Sequence, residues 1–303
     1  MSLRLTILGC HSATPRVNAH PTSQYLEINN RYFLIDCGEG TQRQMRKYKV
    51  GFSKINHIFI SHLHGDHFFG LVGLLSTMHL LGRKNELTIF GPKGLEEIVQ
   101  IQFRNAGSHL SFEMNFQTVD QSGEILLENS KLTVKSLPLK HRIPCYGYLF
   151  EEKEGLRKIK VASLAKYRIP TYARKSITEG EDFKTSEGEV IPNRFLTDDP
   201  PKPTKYAFCS DTAYYEKLIP LLKEVDLLYH EATFLADRED LAKKTKHSTS
   251  KQAAQIAKDA NINQLVLGHY SGRYKDTSLF KQEAEEIFKN TDLAEPGKVF
   301  SID

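Results

Sequence analysis

Residues 60–70 read ISHLHGDHFFG, and three histidines and an aspartate, His62, His64, Asp66 and His67, fall within six positions of that stretch, between one apolar run and the next. Three histidines buried for packing alone would each need a partner on leaving water, so the cluster calls for a chemical reason. Imidazole and carboxylate hold divalent ions, and a catalytic ion needs protein ligands plus an open position. An extended chain points His62 and His64 the same way, two residues apart, so they can share one ion. Past a flexible Gly65, Asp66 and His67 reach a second, which makes the stretch part of a two-metal centre. Six positions cannot complete two coordination shells. The strand tips elsewhere offer His141 in LPLKHRIP, Asp211 in FCSDT and His269 in VLGHYSGRY, and an aspartate such as Asp211 can bridge two cations with its two oxygens.

Working outward, short β-type runs recur: LTILG, SQYLEI and RYFLID flanking Asn29-Asn30, then HIFISH, ELTIFG, LTVKSLPL, YGYLFE, YAFCSD, DLLYHE and QLVLGH. Helical patterns lie between some of them, at Phe68 to Leu81, in KQAAQIAKDA with Ser250 as its cap, and in SLFKQEAEEIFKN. Hairpin-like strands come first in each half and strand-helix alternation follows. That order predicts an α/β (α+β) chain folded as a sandwich of two sheets with helices outside. The strands ending at His62, Asp211, His230 and His269 bring polar groups to one edge of it.

The 303 residues are 40% apolar and 26% charged with a net charge of +4, which describes a globular protein with room for one large domain or two ordinary ones. No run reaches the roughly 18 apolar residues of a membrane helix, and MSLRLTILGC reads as a strand rather than a signal peptide. Cys10, Cys37, Cys145 and Cys209 are far apart and sit in apolar surroundings, as buried thiols of a reducing compartment do. A cytoplasmic protein without membrane contact is expected. Residues 151–205 stand out, poor in strand pattern and ending in DDPPKPTK. Within them, Leu156 to Thr178 carries Arg157, Lys158, Lys160, Lys166, Arg168, Arg174 and Lys175 with no Asp or Glu, a composition suited equally to phosphate contact and to a solvated surface arm.

The HxHxDH cluster with its later His, Asp and His resembles the metallo-β-lactamase fold, an αβ/βα four-layer sandwich with a dinuclear site. More narrowly, LIDCGEGTQRQ, SHLHGDHFFGL, HRIPCYGYLF, SDT, HEATF, HST and GHYSGRY are similar, in order over nearly the whole chain, to the ribonuclease Z family, endonucleases that trim tRNA precursors at the 3′ end. The resemblance implies that His62, His64, His141 and Asp211 hold one Zn2+ and that Asp66, His67, Asp211 and His269 hold another, with Mn2+ as the other candidate metal. It gives Asp36 and His230 supporting positions behind the ligands, makes Asp66 the proton acceptor, and places Glu231 and His247 in the remaining active-site loops. Glu231 can then hold His247 as a charged donor, and His247 or Arg273 can contact the phosphate or protonate the leaving oxygen. Two cations about 3.5–4 Å apart would bring the pKa of a shared water near neutrality and so supply hydroxide.

The resemblance also implies a single domain over 1–303 with 151–205 as an inserted flexible arm for tRNA, Arg168, Arg174 and Lys175 among its contacts, and a homodimer. The family's usual Gly-Pro pair is missing from the arm, which reads YRIPTYARKSITEG. Another hydrolase on the same scaffold, acting on a small phosphodiester or a cyclic nucleotide, is the competing reading, and the HEAT and HST motifs argue against it. His11, His20, His57, His79 and His109 fall outside the matched motifs and are expected at the surface or in packing.

Overall fold

The chain opens with β1 (Leu3–Gly9), β2 (Ser23–Ile28) and β3 (Arg31–Ile35), paired antiparallel. Asn29 and Asn30 make the two-residue turn between the last two, both with left-handed backbone (φ 49° and 58°), the conformation that primed hairpin turns require and asparagine tolerates. Then β4 (Ile55–Phe59), β5 (Leu87–Gly91) and β6 (Met114–Thr118) add on in parallel. The structure, a computed structural model, describes residues 3–14 and 16–302.

The second sheet repeats the plan. It begins with β7 (Ile125–Glu128), β8 (Leu132–Pro138) and β9 (Tyr146–Glu152). Four two-residue strands of a separate unit intervene: β10 (Lys158–Ile159), β11 (Phe183–Lys184), β12 (Val190–Ile191) and β13 (Thr197–Asp198). The sheet resumes with β14 (Lys205–Cys209), antiparallel to β9, and continues in parallel through β15 (Leu227–Glu231), β16 (Gln264–Gly268) and β17 (Thr291–Leu293). β18 (Val299–Ile302) returns to pair with β1, so each sheet has seven strands among the described residues.

Alternation along the strands decides what each face meets. Phe33, Phe59, Tyr148 and Phe150 meet between the sheets, with ring centroids 5.0–5.4 Å apart across the gap. The intervening Leu34, Ile58 and Ile89 belong to a cluster with helices α1 (Thr41–Lys47), α2 (Gly65–Phe68), α3 (Leu71–Leu80) and α4 (Leu95–Asn105), through Met45, Phe68, Leu74, Leu75 and Val99. Each such side chain contributes about 1.5–3 kcal/mol by leaving water.

Residues 129–132 and 152–203 form the second unit. Where sequence promised little regular structure, α5 (Val161–Lys166), α6 (Arg174–Thr178), α7 (Asn193–Leu196) and two short ribbons close over Ile169, Ile177, Phe183, Ile191 and Leu196. Period-two patterning cannot announce strands of two residues, which is why the segment read as strand-poor. Arg168, Arg174 and Lys175 are exposed, and Lys175 Nζ lies 3.9 Å from Glu179 at the loose spacing of a surface pair.

The first unit finishes with α8 (Glu239–Thr245), α9 (Ser250–Asp259) and α10 (Ser278–Glu285). The cap of α9 is Thr249, not Ser250. Thr249 Oγ1 accepts from the Gln252 amide and Gln252 Oε1 accepts from the Thr249 amide, a reciprocal box, while the Ser250 hydroxyl donates instead to Glu283. Thr249→Ala is expected to lower unfolding free energy by about 1 kcal/mol in denaturant titration.

Candidate metal centre

Parallel strands β3, β4, β14, β15 and β16 all end on one side, and the chain puts its polar residues just beyond those ends. Asp36 follows β3 with a left-handed backbone (φ 55°), and His269 follows β16 likewise (φ 63°), strain of the sort that functional sites retain. His62 and His64 lie in the turn after β4, and Asp66 and His67 on the single turn of α2. Gly65 opens that turn, and it is there for space: a Cβ would fall 2.2 Å from the Phe69 ring, while its φ is not of the glycine-only kind. Gly70 lets the turn sit on the segment after Asp36, since its Cβ would stand 2.1 Å from the Gly38 carbonyl.

Asp211 is buried at the centre. Its Oδ2 lies 3.5 Å from His62 Nε2 and 3.7 Å from His141 Nε2, and its Oδ1 lies 3.3 Å from His67 Nε2 and 3.1 Å from His269 Nε2. His64 Nδ1 completes the first group, 3.0 Å from His62 Nε2 and 3.2 Å from His141 Nε2. Asp66 Oδ2 completes the second, 3.5 Å from His67 Nε2 and 3.4 Å from His269 Nε2. Donors about 2.0–2.1 Å from one ion at tetrahedral corners stand about 3.3–3.4 Å apart, so both groups have the spacing of an ion's coordination shell. Five imidazoles and two carboxylates packed this closely fit a pair of divalent cations.

Three of the rings have their other nitrogen already committed. His67 Nδ1–H donates to Asp36 Oδ2 at 2.6 Å, and His62 Nδ1–H donates to the Ser61 hydroxyl at 3.0 Å, which itself donates to Asp36 Oδ2 at 2.9 Å. His141 Nδ1–H donates to the Lys246 carbonyl at 3.0 Å. Nε2 is thereby left with its lone pair toward the centre in each case. Burial pushes His62, His64 and His141 down, His141 to about 4, which favours the neutral ring a metal needs. Burial pushes the Asp66 and Asp211 carboxyls up, but the facing histidines outweigh it and hold both well below the usual range.

Beside this cage, Glu231 at the end of β15 is fully buried and accepts from the Thr212 amide at 2.9 Å and from His247 Nδ1–H at 2.8 Å. Burial pushes His247 down, but Glu231 outweighs it and raises the ring to about 9, while His247 in turn holds Glu231 below its ordinary value against burial. His230 is placed differently from its expected supporting position. Its Nδ1–H donates to the Glu231 carbonyl at 2.7 Å and its Nε2 has no hydrogen-bond partner among the described residues, so no metal-facing ring there leans on it.

A cavity of about 940 Å³ opens over the site, lined among others by Arg16, Phe69, Arg142, Phe234 and the expected Arg273. Sequence reasoning missed Ser61, the Lys246 carbonyl, Arg16 and Arg142. It also missed the Ala13 amide, which donates to Asp66 Oδ2 at 2.7 Å. Of the unmatched histidines, His57 packs on Phe33 and Phe90, His79 on Ser111, and His11 edge-on to Tyr270.

Two facing mixed sheets, helices outside, and a histidine-aspartate cage at the strand ends define the metallo-β-lactamase fold. A ribonuclease Z of Parabacteroides distasonis is 48% identical over 299 residues, 98% of each chain, and one of Porphyromonas gingivalis is 46% identical over 286 residues, 94% of each. The crystal structure of human tRNase Z, short form, superposes with a TM-score of 0.71 over 99% of each chain at 27% identity. The chain belongs to the ribonuclease Z family, and its residues 3–156 also match the family model described as anti-Pycsar protein Apyc1.

Proposed function

We propose that the chain is the endoribonuclease that removes 3′ trailers from tRNA precursors, leaving a 3′-hydroxyl on the tRNA and a 5′-phosphate on the trailer. The observation that carries the reading is the pairing of a two-ion cage with a charged His247 held by buried Glu231 at its edge. Two Zn2+ per chain fit the donor set, one at His62, His64, His141 and Asp211, the other at Asp66, His67, Asp211 and His269. When bound, such a pair supplies an ionised water at neutral pH and neutralises charge on the phosphoryl oxygens.

The chain's own residues do the rest. Asp66, ionised and fixed by the Ala13 amide, takes or steers the proton of the attacking water. Arg16, Arg142 and Arg273 around the cavity offer bidentate donors to the phosphates on either side of the cut. His247 gives its Nε2 proton to the departing ribose 3′-oxygen, while Glu231 keeps the ring charged and oriented. Cleavage of a 3′-extended pre-tRNA by the zinc-replete protein, with the cut mapped, tests the proposal; no cleavage, or cutting without regard to position, would sink it.

The segment 151–205 is read as the arm that holds tRNA, in a homodimer that works in the cytoplasm. No helix among the described residues is long and apolar enough to cross a membrane. Replacing Arg168, Arg174 and Lys175 together by Glu should weaken pre-tRNA cleavage and flatten its salt dependence by about 0.7–0.9 in slope per lost phosphate contact. Turnover of bis(nitrophenyl) phosphate should be untouched, and equal losses on both substrates would refute the division of labour. Light scattering of the purified protein should give twice the mass of one chain.

A further inference from the structure

Glu231 and Asp36 do the same thing on opposite sides of the cage. Asp36 takes one ring directly, His67, and reaches a second, His62, through the Ser61 hydroxyl. Glu231 takes His247 directly, and Thr233 stands where a second hydroxyl is needed. Thr233 is 3% exposed, and its Oγ1 lies 2.7 Å from Glu231 Oε2, 2.9 Å from His269 Nδ1 and 3.1 Å from His247 Nδ1.

A hydroxyl has one proton to give. Glu231 Oε2 can only accept while ionised, so that proton goes to it, and the Thr233 amide donates to the same oxygen at 2.9 Å. His247 Nδ1–H has the closer, charged acceptor in Glu231 Oε1 at 2.8 Å. What remains for Thr233 Oγ1 is to accept, and the group that faces it is His269 Nδ1–H. His269 Nε2 is then left as a lone pair, directed at Asp211 Oδ1 and Asp66 Oδ2, 3.1 and 3.4 Å away.

We infer that Thr233 is a positioning residue that locks His269 in its Nδ1–H tautomer and ties the second metal position to the Glu231–His247 pair. The inference rests on the two-ion reading of the site. One hydroxyl shared between a metal-facing ring and the carboxylate under the proton donor makes the two act as one rigid piece: neither ring can turn without breaking a bond to Thr233 or Glu231. Val at 233 would keep the shape and remove the donor and acceptor together.

The test is zinc titration of the full-length, metal-stripped protein against a chromophoric chelator. Thr233→Val should bind one of its two ions about 10- to 100-fold more weakly and the other unchanged, the usual cost of losing a group behind a ligand histidine. Thr233→Ser, which keeps the hydroxyl, should bind both as the parent does. Nitrogen-15 spectra of His269 should show the Nδ1–H form in the parent and in Ser, and a tautomer mixture in Val, a change that altered packing alone does not produce. Thr233→Ala repeats the loss of the hydroxyl should Val fail to fold. Two ions held by Val or Ala at parental affinity, or Ser as weak as Val, would overturn the inference. Because the titration involves no RNA, a chain that binds both ions yet spares pre-tRNA would remove the function proposed above and leave this inference standing.

Discussion

Asp211→Ala is expected to empty both metal positions at once and to lower kcat/KM on pre-tRNA by at least about a thousandfold. The estimate follows from Lewis-acid and nucleophile-generating effects worth several kcal/mol, at tenfold in rate per about 1.36 kcal/mol. The reason lies in how its two oxygens divide. Oδ2 faces His62 and His141, Oδ1 faces His67 and His269, and no other described carboxylate reaches both groups. Asp211 is also one of the two carboxylates in a cage of five imidazoles, so its loss would remove half of the carboxylate charge available there to balance two dications. Burial pushes its carboxyl up, yet His269, His67 and His62 hold it far below the usual range, and it stays ionised at any working pH. His141→Ala, by contrast, strips a donor from the first group alone, and should leave close to one ion per chain. Elemental analysis of the two variants separates the cases: full zinc in Asp211→Ala would contradict the bridging role, whatever the rate.

That cage was the most legible feature of the sequence, because ligand chemistry is carried by residue type and short spacing. The three histidines and the aspartate of 62–67 announce ions on their own, and the partner residues sit at strand tips that period-two patterning locates. Phe33 and Leu34 show why the sheets were legible too: their alternation is written in the sequence, and so is the Asn29-Asn30 turn. The supporting groups were not. Ser61, Thr233 and the Ala13 amide have no composition signal, since a hydroxyl or an amide becomes a ring-holder only when folding sets it against a particular nitrogen. Thr249 is different, a signal present and passed over: Thr249-x-x-Gln252 is a capping-box pattern, whereas Ser250 has Ala253 three residues on. His230 misled because it shares a motif with Glu231; adjacent strand residues face opposite sides of a sheet, so one reaches the site and the other does not.

His247→Ala should lower kcat on pre-tRNA by about 10²- to 10⁴-fold, the range of general acid catalysis, without changing metal content. The ring sits between His141 and His269, centroids 5.2 and 5.4 Å away, with Nδ1 on Glu231 and Nε2 free to face substrate. Glu231 raises it to about 9 against the opposing effect of burial, so the ring is charged below that pH and neutral above it. A donor must be protonated, and the rate should therefore hold through neutrality and fall as pH rises through about 9. Glu231→Gln removes the charge that lifts the ring, and should move this alkaline limb down toward ordinary imidazole values. A leaving group that needs no proton exposes the role directly. Nitrophenolate departs as a stable anion, so His247→Ala should lose far less on bis(nitrophenyl) phosphate than on pre-tRNA, where a ribose alkoxide must be protonated. Similar losses on both substrates, or an alkaline limb that survives the substitution, would assign the proton to another group.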